Sequence, residues 1–207
     1  MLHVRDSVSF AWSYPVSAAR FKALHQSSPA QKRFDVPFTY KGVGEFSSIA
    51  PKQVMPEITE LYRQVTGAKP RVVLEIGTFK GGTLYLWCQA ATDNAVIVSV
   101  DYPMGEWTHP FSFRRRFFYR HFAKTPQQQL HFIAADSHKA STLERVKQAL
   151  GGRKVDFLFI DGDHSYDGVK QDFDMYAPLV AEGGLIAFHD IQVRPQLPQI
   201  QVFKFWR

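Results

Sequence analysis

Cysteine is nearly absent, with Cys88 the single one in 207 residues. One thiol excludes an internal disulfide framework and a cysteine-cluster metal site, and it suits a reducing compartment. Cys88 lies in the apolar run "LYLWCQAA", which reads as a buried, inert thiol rather than a nucleophile. Long hydrophobic runs are missing as well. No window approaches the roughly 20 apolar residues that span a bilayer. After Arg5 the chain continues with Asp6 and a stretch bearing Ser, Tyr and Pro, not with a secretory apolar core. These absences predict a soluble, cytoplasmic protein with no membrane span. No internal repeat and no low-complexity tract is present, which excludes a solenoid.

Acidic residues are the minority charge: 19 Asp and Glu stand against 25 Lys and Arg, for a net charge of +6 and a pI near 9.4. The excess is concentrated in "FRRRFFYRHFAK", residues 113–124. Interleaved bases and aromatics of this kind can follow a phosphate backbone or grip an anionic small molecule or lipid. An amphipathic helix with its aromatics inward and its arginines solvated accounts for the same pattern, and that is the expectation here. No nucleic-acid partner is expected.

What is present is a globular composition, 45% hydrophobic, at a length that suits one domain with a small appendage. Residues 1–50 show weak periodicity and many turn formers, and are expected to form an irregular N-terminal cap. From residue 51 to 207 strands and helices alternate. "MPEITELYRQVTG" predicts a helix with Pro56 in its first turn and Gly67 at its stop. "RVVLEIG", "NAVIVSVDYP", "QLHFIAADS", "KVDFLFIDGD" and "GGLIAFHDI" predict five strands. "GGTLYLWCQAA", "STLERVKQALGG" and "GVKQDFDMYAPLV" predict helices between them. Strands that are apolar along their whole length, separated by helices, imply a mostly parallel sheet covered on both faces, an α/β fold of the Rossmann-like kind.

Ligands of such sheets bind outside the carboxyl ends of the strands. All five predicted strands bring an acid to that rim: Glu75, Asp101, Asp136, Asp161, and Asp190 beside His189. The turn after the first strand, "LEIGTFKGGT", does not match a dinucleotide fingerprint. The glycine that lets a backbone approach a pyrophosphate is replaced by Phe79. No Lys-Ser/Thr follows in register either, so a nucleoside without a pyrophosphate is the expected ligand. Asp101, about twenty residues beyond Gly82, stands where a carboxylate can accept both ribose hydroxyls.

Taken in order, "VLEIGTFKGGT", "VSVDYP", "FIAADSH", "VDFLFIDGDHSYDGVKQD" and "LVAEGGLIAFHDI" resemble the class I S-adenosylmethionine-dependent methyltransferases. They are similar in particular to the branch holding macrolide-sugar and rhamnosyl O-methyltransferases and the so-called cephalosporin hydroxylases. The resemblance covers residues 52–206. It implies an S-adenosylmethionine-binding domain in which Glu75 and the loop residues Gly77, Thr78, Gly81, Gly82 and Thr83 surround the methionine end. Asp101 is then expected at the ribose, and Asp136 with Ser137 at the adenine. The acceptor implied is a hydroxyl of a small molecule, such as a sugar of a natural product or glycolipid.

"DGDHSYDGVKQD" crowds carboxylates at the end of the fourth strand. An EF-hand loop needs glycine at its sixth position, where Tyr166 stands, and a preceding helix in place of a strand. An acidic turn in which Asp163 or Asp167 caps the next helix explains some of these residues, but leaves Asp161 without a role. Asp161 on one strand and His189 with Asp190 on the next can share an ion, since parallel strands lie about 4.8 Å apart. Mg²⁺, or another divalent metal, is the expected occupant; it would orient and acidify the acceptor hydroxyl. His164, three residues beyond Asp161, is the expected general base. The sugar O-methyltransferases combine strand-end acids with such a histidine, although they often carry two adjacent acids where this chain has His189-Asp190. His121, His131 and His138 are expected at the surface or in packing.

The full fold of the class has two more strands after the fifth, and "QVFKFWR" ends before they form. The domain therefore reads as C-terminally truncated, unless a partner such as a second copy of the chain covers the open edge. A non-catalytic remnant that binds cofactor or partner, and an NAD-dependent oxidoreductase, stay open as alternatives.

Overall fold

Alternate residues of the central strands face opposite layers. Val72, Leu74 and Ile76 join one apolar cluster, while Val73 of the same strand joins the other. That period of two is what a strand buried on both faces requires. The structure, a computed structural model, describes residues 2–103 and 115–207. In chain order its elements are α1 (Leu2–Ser27), α2 (Val36–Thr39), α3 (Met55–Ala68), β1 (Val72–Ile76), α4 (Gly82–Ala90) and β2 (Val96–Asp101). There follow α5 (Arg115–Tyr119), β3 (Gln129–Ala134), α6 (Ala140–Leu150), β4 (Val155–Ile160), α7 (Tyr166–Tyr176), β5 (Val180–Phe188) and α8 (Val202–Trp206).

The five strands form one parallel sheet in the order β3-β2-β1-β4-β5. The chain starts in the middle and winds outward both ways, so the order reverses at β1, between β2 and β4. The ladder continues one residue past the strands. Gly77 N–H donates to Val100 O at 2.8 Å, Asp161 N–H to Ile76 O at 2.7 Å, and His189 N–H to Ile160 O at 3.1 Å. These bonds hold the strand-end residues side by side on one rim.

One layer is built from α6, α7 and α8 against Leu74, Val98, Leu158 and Ile160. The other holds α4 and the N-terminal segment, centred on Trp87, whose ring lies 4.9 Å from that of Phe157 and 5.2 Å from that of Phe159. Burying an aromatic side chain of this size contributes on the order of 1.5–3 kcal/mol, so this cluster anchors α4 to the sheet. Cys88 lies in it, fully buried, with its thiol pushed well above the ordinary range by that burial.

The first fifty residues correct the expectation of an irregular cap. They contain the 26-residue α1, the short α2 and two 3₁₀ turns. Phe21, Val36, Tyr40, Phe46 and Ile49 are buried in the same cluster as the sheet. The stop of α3 also differs: the helix runs through Gly67 to Ala68, and Lys69 caps it in the left-handed conformation with φ 49°. The glycine stop of α6 is as expected, Gly151 standing at φ 58°. Of the basic aromatic segment, residues 113 and 114 lie outside the described residues. Phe118, Tyr119 and Phe122 are buried as an amphipathic helix requires, yet Arg115 is buried too and donates to Glu45 O at 2.7 Å.

Candidate active site

The acidic rim opens into a cleft of about 730 Å³. Its floor is the turn after β1. Gly77 stands at φ +90°, and a side chain there would collide with the carbonyl of Asp161, so only glycine lets β1 and β4 end this close together. Thr78, Gly82 and Thr83 line the cleft with it. Phe79 has φ 50°, a conformation that favours glycine, and the Nζ atoms of Lys52 and Lys80 lie 5.2 and 5.3 Å from the centre of its ring.

Asp101 is nearly buried at the end of β2 and lines the cleft. Burial raises its pKa to about 7, against the opposing pull of hydrogen bonds from the backbone N–H groups of Thr78, Phe79 and Tyr102. Those donors fix its carboxylate under the glycine turn. Asp136 and Ser137, after β3, line the same end of the cleft. Two residues expected at the methionine end do not line the cleft themselves. Glu75 is fully buried behind the turn, accepting from Trp87 Nε1 at 3.1 Å and from Ser99 Oγ at 3.2 Å. Burial pushes its pKa up to about 8. Gly81 faces the rings of Tyr119 and Phe122, away from the cleft. Both residues shape the turn from behind.

The opposite wall carries Asp161, His164, His189 and Asp190. Asp161 Oδ2 accepts from Gln53 Nε2 at 2.8 Å, and its Oδ1 lies 2.8 Å from His189 Nδ1 and 4.0 Å from His164 Nε2. Asp190 stands at φ 59°, a backbone strain of the kind that collects at functional sites. Its Oδ2 is 3.0 Å from His164 Nδ1, and its Oδ1 is 2.6 Å from the Arg194 guanidinium and 3.5 Å from His189 Nε2. Burial would lower the pKa of His164, but the hydrogen bond to Asp190 and the carboxylates of Asp161, Asp190 and Asp163 outweigh it and leave the group above its ordinary 6.5. The helix that follows is capped by Ser165, whose Oγ accepts from Gly168 N–H at 3.0 Å. Asp163 and Asp167, the expected caps, do not fill that position; Asp163 instead accepts from Ser165 N–H at 2.8 Å.

The donor set does not fit Mg²⁺. That ion demands near-octahedral oxygen ligation at about 2.0–2.1 Å. Asp190, one of the expected oxygen ligands, is taken up by Arg194 and His164. Among the described residues, the metal-competent group is Asp161 with His164 and His189, and it does not include Asp190.

Sequence reasoning missed Gln53, Arg194 and the standing of His138. Gln53 carried no local signal, because its contact with Asp161 spans 108 residues. Arg194 follows Asp190 by four residues in a segment outside any helix, so that spacing carried no signal either. His138 lines the cleft, 3.3 Å from the fully buried Asp172.

Residues 74–191, more than half of the chain, match the protein family described as "Methyltransferase domain". The chain belongs to this methyltransferase family. Among solved structures, the chain resembles the calicheamicin methyltransferase CalS11, with a TM-score of 0.56 at 16% identity, covering 90% of this chain and 80% of that one. An O-methyltransferase from Bacillus cereus in complex with SAH has a TM-score of 0.54 at 15% identity, covering 97% and 86%. At that identity the likeness shows the fold. Among curated relatives, the uncharacterized protein y4gI of Sinorhizobium fredii is 26% identical over 145 residues. Those residues are 69% of this chain and 15% of the relative's length. The uncharacterized protein R132 of Acanthamoeba polyphaga mimivirus is 48% identical over 46 residues, 22% of this chain and 21% of that protein. Among the described residues no helix is long and apolar enough to cross a membrane.

Proposed function

We propose that this methyltransferase uses S-adenosylmethionine to methylate a hydroxyl of a small molecule, a sugar hydroxyl being the acceptor the motif resemblance implies. The observation that carries the reading is the pairing of two walls in one cleft. A glycine turn with Asp101 and Asp136 stands on one wall, and an imidazole held by a carboxylate stands on the other. S-Adenosylmethionine has no pyrophosphate, so the Phe79 side chain in the turn does not obstruct it. When ionised, Asp101 would accept from both ribose hydroxyls, with Asp136 and Ser137 at the base.

The sulfonium is already activated, so the chain's own work is positioning and proton removal. The acceptor oxygen attacks the methyl carbon as the carbon–sulfur bond breaks, and neutral S-adenosylhomocysteine leaves. His164 Nδ1–H donates to Asp190 Oδ2, which leaves the Nε2 lone pair free for the hydroxyl proton. In-line orientation of the two reactants can supply roughly 7–11 kcal/mol of the barrier. The fold likeness to an enzyme described as TDP-rhamnose 3'-O-methyltransferase, with a TM-score of 0.53 at 15% identity, agrees with a sugar acceptor. The structure of TomG from Streptomyces achromogenes, solved in complex with SAM, has a TM-score of 0.51 at 17% identity and agrees with the cofactor.

Asp101→Ala tests the cofactor side directly. Each charge-assisted hydrogen bond is worth about 1.5–3 kcal/mol, so calorimetry should show S-adenosylmethionine affinity falling at least tenfold. Unchanged affinity would remove Asp101 from the ribose site.

A further inference from the structure

We propose that His138, as an imidazolium, is a positioning residue for the nucleoside base: it bridges the buried Asp172 of α7 and the cleft-lining Asp136, and so sets the carboxylate that meets the base. The proposal rests on the S-adenosylmethionine reading and adds to it a residue that acts through Asp136.

Gly168, Asp172 and Tyr176 recur every four residues, which puts them on one face of α7, and all three are buried. That face meets the loop after β3. Tyr176 Oη donates to Ser137 O at 2.6 Å, and Gln171 Nε2 donates to His138 O at 3.2 Å, so the loop backbone is pinned to the helix. The His138 ring then lies between two acids. Its Nε2 is 3.2 Å from Gly168 O and 3.3 Å from Asp172 Oδ1. Both are acceptors, so Nε2 carries a proton. On the other side Nδ1 faces Asp136 Oδ1 at 3.8 Å, and that oxygen also accepts from His138 N–H at 2.9 Å.

Charge decides the state of the ring. Asp172 is fully buried, and a buried carboxylate without an opposite charge is costly. Among the described residues, His138 is the cation within ion-pair reach of it. Asp163 and Asp136 also act on the ring, and Lys139 beside Asp136 is the cation that opposes them. Tyr176 stays a neutral donor, since burial raises its pKa. Pairing with Asp172 lifts the pKa of His138 above its ordinary 6.5; burial opposes this, and the charges of Asp172, Asp136 and Asp163 add to it. When the ring does lose a proton, Nε2 keeps its own between two acceptors and Nδ1 gives one up. A lone pair then faces Asp136 Oδ1, attraction turns to repulsion, and the carboxylate leaves the place where it meets the base.

The test is calorimetry from about pH 6 to 9 with 5′-methylthioadenosine, which carries the nucleoside but no amine or carboxylate to titrate. Asp101, with its pKa of about 7, must ionise to take the ribose, so affinity first rises with pH. Above the His138 pKa it should fall, by about 5–150-fold in all. By the same linkage the ligand should raise the His138 pKa, read from its ring signals by NMR. His138→Gln should abolish the fall and keep the rise. Asp172→Asn, at a residue that does not line the cleft, should move the fall to lower pH. A fall unchanged in both variants, or a His138 pKa that the ligand does not move, would overturn the role. The NMR titration of the parent chain decides even where a variant fails to fold. A parent chain that binds the nucleoside with no fall at high pH removes the role of His138 alone. One that binds neither this nucleoside nor S-adenosylmethionine removes the cofactor reading, and the role with it.

Discussion

At the scale of single residues, the rim acids have divided their labour by burial. Asp101 faces the cleft and is held by three backbone N–H groups, whereas Glu75 is sealed beneath the turn with no water to solvate a charge. The strand-end position of Glu75 was legible in the sequence; which way its side chain would face was not, because that depends on where Trp87 and Ser99 place their donors. Its pKa of about 8 makes a pH prediction. Between about pH 4.5 and 8 the folded chain keeps a proton on Glu75 that the unfolded chain has released, so stability falls as pH rises through that window. Melting temperature measured from pH 5 to 8.5 should decline, and Glu75→Gln should make the decline shallower, with Asp101, raised to about 7, contributing what remains below that pH. For His164, replacement by Ala should lower kcat by about 10²–10⁴ while leaving the affinity for S-adenosylmethionine unchanged. A matching loss of affinity would show that His164 holds cofactor instead.

At the scale of elements, the alternation of apolar runs and helix signals was enough to place all five strands. Each central strand is buried on both faces, so its composition alone betrays it. The helix α1 was hidden for the converse reason. The face it turns inward includes Ser13 and Ser17 beside Ala18 and Phe21, and Pro15 lies within it, so no clean apolar stripe marks it. The buried Ser17 hydroxyl finds its partner across the fold: its Oγ accepts from Val43 N–H at 3.0 Å and lies 3.3 Å from Val43 O. Glycines separate the two kinds of position further. Gly77→Ala should destabilise by about 1–3 kcal/mol or more, since it meets both an unfavourable φ and the Asp161 carbonyl. Gly67→Ala, inside α3 with nothing within 4 Å of the new methyl, should stabilise by about 0.5–1 kcal/mol. Denaturant midpoints of the two variants, moving in opposite directions from the parent, check both.

At the scale of the whole molecule, the sheet order puts the site where parallel α/β sheets place ligands, at the carboxyl ends beside the reversal between β2 and β4. That location followed from the five strand-end acids before any contact was known. The cross-chain contacts did not follow: Gln53 on Asp161, and the N-terminal segment packed into the core, join residues too far apart in sequence for any local pattern to carry. How the expected metal residues divide was hidden for a similar reason: only the folded chain shows Asp190 paired with Arg194 and His164, while Asp161, His164 and His189 form the metal-competent group. The central claim remains that this cleft is built for a nucleoside without a pyrophosphate. Calorimetric titration of the purified chain with S-adenosylmethionine and, separately, with NAD tests it most directly. Saturable binding of S-adenosylmethionine with no heat from NAD is the predicted result. Binding of NAD in preference to S-adenosylmethionine would contradict it.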